Sequence, residues 1–407
     1  MADIAIIGGG ASGIISAISL LQKANINVTV YEKMPRILKK ILATGNGRCN
    51  ITNLYTNSES YWDKNDFVRF AIEKYSPNSN IDFFKSMGLL CKTEDEGRVY
   101  PLSSQASSVV NTLLIEAQRL GVKVITDTEI TDIKIKNNQY ILNNKFKGDC
   151  VLISSGGKSA KSQGTNGGSY KLLKMLGHNI INPMPALTAL CGADFPKSLK
   201  GIRAICNAEL IIDDKKIYTE KGEIQFTDYG ISGIPIMQMS RLVSTSKSKS
   251  ISVKLDTLPD ISQKELEKFL LARNQIKEIS AENVLIGILP KQLSNYLLLK
   301  ADIKKDREFS FVPKTKITEL SILIKNWNIK ISNVRDFDFS QVTAGGADLS
   351  EFNNKTMMSK LKDGLFCSGE ALDVDGKCGG YNLQWAWSSG RLAADGILEY
   401  LRSKNID

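Results

Sequence analysis

The sequence predicts an α/β protein in which a parallel sheet covered by helices is interrupted by an inserted, strand-rich domain that carries a small helical insertion of its own. Three observations predict this architecture. The first thirty residues alternate between strand, glycine-rich turn, helix and strand. A second strand with a glycine-rich turn and a helix follows at 364–400. Between them, Pro183, Pro185 and Pro196 break the pattern, and short alternating strands replace the buried ones.

The opening elements form one βαβ unit. Asp3 to Ile7 is a short apolar run typical of a buried parallel strand. Ala11 to Lys23 repeats apolar residues at helical spacing, and Val28 to Tyr31 is a second buried strand. Two strands joined by a helix pair in parallel, so a sheet with helices on its faces is expected from these residues.

The remaining elements follow from the same patterns. Ser262 and Glu265 make a capping box at the start of a helical stretch over 260–303. We further predict a helix at 106–120, strands at 122–125, 150–154 and 364–368, a hairpin of 130–135 with 139–142 around Asn137–Asn138, short strands at 208–212 and 252–255, and a helix at 383–400. The predicted domains are a nucleotide-binding domain at 1–185 and 343–407, a strand-rich domain at 186–258 and 306–342, and a helical insertion at 259–305.

Composition limits the chemistry. The chain has 407 residues and a single histidine, His178. A His-ligated metal centre needs two or three imidazoles, so we predict no such site, and a hydrolase triad would have to use this one ring. Because His178 follows Gly177 at a predicted helix end, we interpret it as a capping residue. Carboxylates, cysteine or a cofactor must then carry the chemistry.

The balance of charge does not predict nucleic-acid binding. Lys and Arg number 53 and Asp and Glu 43, a net charge of +10. The cations are mostly lysines and are spread along the chain, whereas a nucleic-acid site concentrates them on one face. We therefore expect a small-molecule substrate as the partner.

The cysteines indicate a reducing compartment. The seven cysteines include no CxxC pair and follow no secretory signal. Residues 4–22 are uncharged, but glycines interrupt them and no basic segment precedes them, so they resemble neither a signal peptide nor a membrane span. We predict a soluble, cytoplasmic protein with no membrane partner, and composition does not specify an oligomeric state.

The strongest local motif is a GxGxxG formed by Gly8, Gly10 and Gly13. It follows a buried strand, opens a helix and is followed by Glu32 at the end of the second strand, which is the context that a dinucleotide site requires. Gly8 permits the tight turn, Gly10 lets the backbone approach a pyrophosphate, and Gly13 lets helix and strand pack closely. Glu32 would accept hydrogen bonds from a ribose diol and repel a 2′-phosphate, which favours FAD or NAD over NADP.

Two further segments are rich in glycine. The loop TGNGRCNITN at 44–53 can lie flush against a flat ligand, with Arg48 available for a phosphate or a carbonyl, although an ordinary Asn-Gly turn explains the loop equally well. At 364–384, a strand delivers Gly369 and Glu370 to the edge of the sheet, and a Gly-Gly turn starts a helix at Asn382. Such a helix start suits the negative charge of a reduced flavin.

These segments together resemble one family. They are similar to the FAD-dependent flavoproteins known as the aminoacetone-oxidase or YhiN-like family, which includes a 3-dehydro-bile-acid reductase. The resemblance lies in the GNGRCNITN loop (45–53), EIQFTDYGISG (223–233), TAGGAD (343–348) and the GEALD…GGYNLQ run (369–384), and it spans nearly the whole chain. The family usually has His where Asp228 stands and Pro where Ile234 stands, and both departures fall in the inserted domain.

The resemblance implies non-covalent FAD in a Rossmann-type, glutathione-reductase-like domain. Gly8, Gly10, Ser12 and Gly13 would contact the pyrophosphate, Glu32 the adenosine ribose, and the backbone of Ile130 the adenine. The residues beside the flavin would be Gly45, Asn46, Gly47, Arg48, Cys49 and Asn50, and those that reach the ribityl chain and the isoalloxazine would be Gly369, Glu370, Gly380, Tyr381, Asn382 and Leu383. Further cofactor contacts are expected at Ala11, Lys33, Lys40, Thr44, Gly156 and Asp373.

The catalytic residues are not identified by any motif. Asp228 and Tyr229 are candidates for an acid pair in the inserted domain, but turn residues that bond their own backbone explain them equally well. Cys49 lies in the flavin loop, although a lone cysteine is more often a packing residue. Trp385 and Trp387 cannot share one helix face, so we expect one of them in the core.

We therefore predict an FAD-dependent oxidoreductase that moves a hydride between an organic substrate and flavin N5, in a cleft between the two domains. Only one GxGxxG lies in a sound context, since Gly164 to Gly168 lacks a preceding strand. NAD(P)H, if it is the donor, would thus dock transiently. The alternatives are an amine or aminoketone oxidase that makes peroxide, a flavin-dependent nucleic-acid (tRNA) modifying protein, and a non-enzymatic FAD-binding scaffold.

Overall fold

A computed structural model describes residues 1–137, 139–193 and 195–406. The chain divides into two compact units, one formed by Met1–Met184 with Ser340–Asp407 and the other by Pro185–Phe339. The domain limits predicted at 185 and 342 differ from these by one and three residues. Within the described ranges, no helix combines the length and apolar character needed to cross a membrane.

The first unit begins with alternating strands and helices. In chain order they are β1 (Asp3–Ile7), α1 (Ala11–Leu21), β2 (Asn27–Tyr31), β3 (Thr52–Asn53), β4 (Tyr61–Trp62), α2 (Arg69–Lys74), α3 (Pro77–Ser86), β5 (Cys91–Thr93), β6 (Arg98–Pro101), α4 (Ala106–Arg119), β7 (Lys123–Ile125), β8 (Ile133–Lys136), β9 (Gln139–Leu142), β10 (Phe146–Gly148), β11 (Cys150–Ile153), α5 (Gly168–Met175) and β12 (Ile180–Ala186).

The second unit follows, and the chain then returns to the first. The second unit contains β13 (Leu190–Gly192), β14 (Arg203–Ile212), β15 (Lys215–Phe226), β16 (Gly230–Ser232), α6 (Ile234–Thr245), β17 (Ile251–Asp256), α7 (Gln263–Arg273), α8 (Ala281–Val284), α9 (Lys291–Lys300), α10 (Lys314–Lys325) and β18 (Trp327–Val334). The return contains β19 (Val342–Ala347), β20 (Leu365–Cys367), β21 (Asp375–Gly376) and α11 (Tyr381–Lys404).

A parallel sheet in the order β20-β11-β1-β2-β7 forms the centre of the first unit. β1 is the middle strand: Ile6 lies opposite Val30 of β2 on one side and Leu152 of β11 on the other. Ile4 to Ile7 are buried, as expected for a strand covered on both faces. The predicted α/β class with a parallel sheet is therefore confirmed.

The C-terminal helix α11 packs against α1, the helix that the glycine motif opens. Ser16 of α1 donates a hydrogen bond to the carbonyl of Gly390 at 2.7 Å. A Cβ on Gly390 would lie 2.6 Å from the carbonyl oxygen of Ser12, so only glycine allows this approach. The packing places Gly369 beside Ser12, where its Cβ would lie 2.7 Å from Ser12 Oγ.

The second unit contains a closed barrel in the order β13-β16-β15-β14-β17-β18. Its interior is filled by alternate residues of each strand, among them Leu210, Phe226 and Leu255, which are fully buried. The sequence predicted only short strands at 208–212 and 252–255. The structure has strands of ten and twelve residues in β14 and β15, because each strand pairs along its length with its neighbours.

The helical insertion begins as predicted. Ser262 Oγ accepts a hydrogen bond from the amide of Glu265 at 3.2 Å, and the Ser262 amide donates to Glu265 Oε2 at 2.9 Å. This reciprocal pair confirms the capping box, and it starts α7. Leu266 and Leu270 on α7 are buried in the apolar core of this unit.

Two expectations from the sequence are wrong. Trp385 and Trp387 are both buried, because α11 is enclosed on several sides: their indole N–H groups donate to the carbonyls of Gly369 at 3.0 Å and Ile51 at 2.9 Å. Among the described residues, the His178 imidazole contacts the side chains of Glu351 and Ser359 and not the end of α5. The backbone amide of His178, by contrast, donates to the Leu173 carbonyl near the end of α5.

The predicted hairpin exists as β8 and β9, while Asn138 lies outside the described residues.

Candidate dinucleotide-binding site

The three glycines after β1 have three different surroundings. Gly8 adopts a φ of +109°, and a Cβ there would lie 2.5 Å from Ser155 Cα. A Cβ on Gly13 would overlap the carbonyl oxygen of Gly8, so Gly13 sets the close packing of α1 on the strand. A Cβ on Gly10 would meet no atom within 4 Å. Gly10 therefore faces open space, where a ligand can approach the backbone.

The start of α1 is free to bind an anion. Gly10 is its N-cap, no side chain caps it, and its first turn carries no acidic residue. The first amides of such a helix have no intrahelical acceptor, and the helix dipole favours negative charge there. Ser12, in the first turn, is buried beside Gly369. The arrangement suits a pyrophosphate.

Glu32 lies against the glycine turn. One carboxylate oxygen accepts from the amide of Gly9 at 2.8 Å, and the other accepts from the amide of Met34 at 2.8 Å. These bonds fix the carboxylate just after the end of β2, against the backbone of Gly9 in the glycine turn. A carboxylate has about four acceptor positions, so two remain for a ribose diol.

The loop 44–53 is held in an unusual conformation. Gly45, Asn46 and Cys49 all have φ between 55° and 60°. Cys49 is fully buried, and desolvation raises the pKa of its thiol to about 12. A thiol that stays protonated is a poor nucleophile, so the structure argues against a nucleophilic role for Cys49. Thr44 donates to the carbonyl of Ile41 at 2.7 Å and closes the preceding turn.

Arg48 is not free, contrary to the expectation that it is available for a phosphate or a carbonyl. Its guanidinium lies 4.1 Å from the centre of the Tyr100 ring and forms an ion pair with Glu94. These two contacts hold the side chain against β6, which carries Tyr100, and against Glu94, which directly follows β5. The sequence did not indicate them, because Glu94 and Tyr100 are some fifty residues away in the chain.

Lys40 and Glu370 come together from opposite ends of the chain. Lys40 Nζ lies 2.9 Å from Glu370 Oε2, and the amide of Thr343 donates to Glu370 Oε1 at 2.8 Å. Thr343 Oγ1 in turn accepts from the amides of Lys158 and Ser159, at 2.9 and 3.1 Å. The carboxylate that follows β20 is thus fixed directly by Lys40 and Thr343, and the amides of 158–159 hold the Thr343 side chain in turn.

The start of α11 is locked onto the 50–53 segment. Gly380 has a φ of +101°, and a Cβ there would lie 2.6 Å from the Thr52 carbonyl and 2.8 Å from Asn50 Oδ1. Asn382 Oδ1 accepts from the Gly376 amide at 2.8 Å, and its amide nitrogen donates to the Gly376 carbonyl at 2.9 Å. Like α1, α11 begins with no side-chain cap and no acidic residue in its first turn.

Three buried polar atoms at this edge lack partners within the described part of the chain. They are Asn50 Oδ1, Ser155 Oγ and Ser368 Oγ. Buried polar groups are nearly always satisfied, so atoms of this kind indicate a ligand or water. Together with the open face of Gly10 and the two uncapped helix starts, they fit a dinucleotide that carries a polar ring system.

The other predicted residues lie in the same unit. Ile130 is buried, and Gly156 has a φ of +72° with its carbonyl accepting from Ser169 Oγ at 2.6 Å. Burial lowers the pKa of Lys33, opposed mainly by Glu129. Of the remaining predicted positions, Ala11 is the first residue of α1, Gly47 is the last residue of the 39–47 turn, and Asp373 lies between β20 and β21. Tyr381 and Leu383 lie in the first turn of α11.

The two candidates in the inserted domain are already paired. Asp228 is exposed and forms an ion pair with Lys200 at 2.8 Å, and the hydrogen bond from Lys200 lowers the pKa of its carboxyl. An ionised carboxylate does not donate a proton at neutral pH. Tyr229 lies under the guanidinium of Arg335, at 4.3 Å from the ring centre. The structure therefore supports turn and surface roles for both residues.

The sequence motifs did not indicate a role for Thr343, Ser155 or Ser368. Ser155 and Ser368 stand just beyond the last residues of β11 and β20, at the sheet edge where ligands bind in open α/β folds, so their position relative to the strands was an available signal. Thr343 is the first residue of the TAGGAD motif, but its contact with Glu370, 27 residues further along the chain, forms only in the folded protein.

The chain is similar to proteins of known name over most of its length. The chain is 35% identical to the 3-dehydro-bile acid delta(4,6)-reductase of Clostridium scindens, over 98% of this chain and 100% of that one. It is 29% identical to the ribosomal RNA dihydrouridine synthase of Haemophilus influenzae, over 94% and 95% of the two chains. The solved 3-ketosteroid delta1-dehydrogenase of Sterolibacterium denitrificans, in complex with 1,4-androstadiene-3,17-dione, is 12% identical with a TM-score of 0.49, over 98% and 99% of the chains.

The family model described as HI0933-like protein Rossmann domain matches residues 2–396, nearly the whole chain. The resemblance expected from the glycine-rich motifs is thereby confirmed, and the chain belongs to the HI0933-like family.

Proposed function

We propose that this protein is an FAD-dependent oxidoreductase that transfers a hydride between an organic substrate and the flavin. The observation that carries the proposal is the convergence, at one edge of a parallel sheet, of two uncapped helix starts, an open glycine face and two fixed carboxylates. Relatedness to a reductase over the full length of both chains supports the same conclusion.

FAD would be held by residues of the first unit alone. The amides at the start of α1 would bind the pyrophosphate, and Glu32 would accept hydrogen bonds from the ribose. Glu370, fixed by Lys40 and Thr343, would bind the ribityl chain. The amides at the start of α11, with Asn50 beside them, would donate to the flavin ring. When bound, the flavin supplies hydride exchange at N5.

The substrate class follows from the names of the two relatives. Delta(4,6) reduction of a 3-oxo bile acid and formation of dihydrouridine both describe saturation of a carbon–carbon double bond conjugated with a carbonyl. We extend this class to the present chain: its substrate is an unsaturated carbonyl compound. Such a bond accepts a hydride at its β-carbon and needs a proton at its α-carbon.

The electron donor is proposed to be NADH or NADPH, docking transiently at the flavin. The alternative is an oxidase that takes electrons from an amine or aminoketone and makes peroxide from oxygen. Anaerobic mixing distinguishes the two: NAD(P)H bleaches the flavin of a reductase, whereas the amine substrate bleaches that of an oxidase.

The first test is the cofactor itself. The purified protein should be yellow, absorb near ~450 nm as protein-bound oxidised flavins do, and release FAD on denaturation. Colourless protein that cannot be reconstituted with FAD would contradict the proposal. A panel of unsaturated carbonyl compounds, including a 3-oxo-4,6-dienoic bile acid, then tests the substrate class against the reduced holoenzyme.

A second candidate is reduction of uridine in ribosomal RNA. It is favoured by the name of the Haemophilus relative, which matches this chain over 94% of its length. The test compares a ribosomal RNA fragment with the bile acid as acceptor for the reduced holoenzyme. Turnover of RNA alone would establish the nucleic acid as substrate; turnover of the steroid alone would exclude this second candidate.

A further inference from the structure

The surface in front of the α11 start is lined by an arginine and a tyrosine. A Cβ on Gly379 would lie 3.6 Å from Arg98 Nε and 3.7 Å from Tyr381 Cε2, so the guanidinium and the phenol ring flank one glycine. Both side chains are half-buried. Asn50 lies at the same helix start, is 8% exposed, and its Oδ1 has no partner in the described part of the chain.

We propose that Tyr381 is the proton donor for this reaction and that Arg98 stabilises the phenolate oxygen left after the transfer. This inference rests on the proposed function, because it assigns the second half of the reduction to a residue of the same site. It adds a catalytic residue that neither the motifs nor the relatives' names indicate.

Tyr381 is held in place from two sides. Tyr61 donates a hydrogen bond to the Tyr381 carbonyl at 2.9 Å, and the two rings meet edge to face with centres 6.5 Å apart. The next residue, Asn382, is bound to the backbone of Gly376 through both ends of its side-chain amide. The phenol ring therefore projects from a fixed turn, as general acid catalysis requires.

The electrostatics suit a donor at neutral pH. Burial raises the pKa of Tyr381, while Arg98 opposes the increase and Glu96 adds to it. The phenol is therefore protonated at neutral pH. Arg98 also pairs with Glu96, but that carboxylate is highly exposed, so water screens the pair and leaves the guanidinium able to stabilise a second anion.

Other donors near this helix start are less suitable. Cys49 is fully buried, and the hydroxyl of Tyr61 is already donated to a carbonyl. Tyr100 is largely buried, with the Arg48 guanidinium over its ring. Cys378, half-buried and directly before Gly379, is the competitor that an experiment must separate from Tyr381.

The bound flavin, reduced by a nicotinamide dinucleotide, would supply the hydride that adds to the β-carbon of the substrate, and the electron pair of the double bond would move onto the carbonyl oxygen to give an enolate. As the carbonyl re-forms, the α-carbon takes the proton from Tyr381 Oη. Water returns a proton to the phenolate while Arg98 lies beside it.

The position of Tyr381 is tested without substrate. A tyrosine in contact with a flavin quenches its fluorescence by electron transfer, and phenylalanine does not. In the FAD-loaded protein, Tyr381→Phe should remove the fastest-decaying fluorescence component. Tyr55→Phe is the matched control, because Tyr55 is 67% exposed and makes no part of the site. An unchanged decay in Tyr381→Phe overturns the proposal.

The proton transfer is tested by stopped flow. Dithionite-reduced holoenzyme is mixed anaerobically with a 3-oxo-4,6-dienoic bile acid and with a uridine-containing ribosomal RNA fragment. At equal FAD occupancy, Tyr381→Phe should slow flavin reoxidation by about 100-fold, as loss of a general acid does, with unchanged reduction by dithionite. The decline of the wild-type rate at high pH should also disappear.

The outcomes separate this inference from the proposed function. If the wild type reoxidises with neither probe, the proposed function fails and the donor role fails with it. If the wild type reacts and Tyr381→Phe reacts equally fast, only the donor role fails. Loss of reoxidation in Cys378→Ser but not in Tyr381→Phe assigns the proton to the thiol and also overturns the proposal.

Discussion

The two units of this protein carry similar polar residue types but use them differently. In the first unit, polar residues converge on the carboxyl edge of a parallel sheet, and some buried atoms there, such as Asn50 Oδ1 and Ser155 Oγ, have no partner among the described residues. In the second unit, Asp228 and Tyr229 are already occupied by Lys200 and Arg335.

The architecture of each unit determines where a ligand can reach polar groups. A parallel sheet brings strand ends from distant parts of the chain to one edge, where backbone groups point outward with nothing above them. A closed barrel fills its interior with apolar side chains and satisfies its backbone between neighbouring strands. The candidate residues of the first unit therefore lie at a sheet edge where a ligand can approach, whereas Asp228 and Tyr229 of the second unit contact neighbouring side chains.

The largest expected effect comes from filling the open face of Gly10. Gly10→Val should raise the FAD dissociation constant by about 100-fold, or about 2.8 kcal/mol, because the side chain occupies the approach to the pyrophosphate. The apoprotein should lose no more than about 1 kcal/mol of stability, since valine is a poorer N-cap than glycine. Gly287→Val is the control, because its Cβ would also meet open space but lies in the second unit. Equal FAD dissociation constants for the two variants would show that the open face of Gly10 is not part of the FAD site.

The next-largest effect is expected from a substitution in the barrel core, which should change stability without changing FAD affinity. Leu255 is fully buried in the barrel, so Leu255→Ala should cost about 2–5 kcal/mol of unfolding free energy. FAD affinity measured below the transition should not change, because the site is built from the first unit. Ile217→Ala on the exposed side of the barrel should stay within about 0.5 kcal/mol. Thermal unfolding followed by flavin fluorescence and by circular dichroism distinguishes these outcomes.

A smaller effect is expected from pH. His178 is buried between Glu351, at 2.8 Å from Nδ1, and Ser359, at 3.0 Å from Nε2. Burial lowers the pKa of His178, opposed by Glu351, with a minor lowering by Lys362. The unfolded chain, with a His pKa of about 6.5, thus binds a proton more readily than the folded protein.

The folded protein should therefore become less stable as the pH falls. The stability contributed by neutral His178 is complete above about pH 6.5 and is lost as pH falls through the lower pKa of the folded state, by at most about 1.4 kcal/mol per pH unit. Since His178 is the single histidine, His178→Gln should flatten the dependence of unfolding free energy on pH between about 5 and 6.5. Urea titrations at several pH values measure this slope, and an unaltered slope in the variant would refute the assignment.

The smallest effect is expected at Asp228. Asp228→Asn removes an exposed ion pair, so FAD affinity, unfolding midpoint and turnover should all remain at wild-type values. A large loss of turnover with normal FAD binding would return Asp228 to the catalytic candidates and weaken the contrast between the two units.

The sequence predicted the parts of the site that depend on neighbouring residues. Gly8, Gly10 and Gly13 act within one turn, and Glu32 follows a strand that pairs directly with β1, so spacing alone indicated their roles. It misjudged Arg48, whose partner Tyr100 lies on β6 and whose partner Glu94 directly follows β5, and it left Thr343 without a role.

The α/β class, the βαβ unit and the glycine turn can be predicted from the sequence, because strand, turn and helix propensities act over a few residues. Three features depend on the folded chain: the ion pair of Glu370 with Lys40, the burial of both Trp385 and Trp387, and the contact of Tyr381 with Arg98 beside Gly379. The physical reason is that these contacts join segments hundreds of residues apart, and their geometry is set by the packing of α11 against α1 and the 50–53 segment.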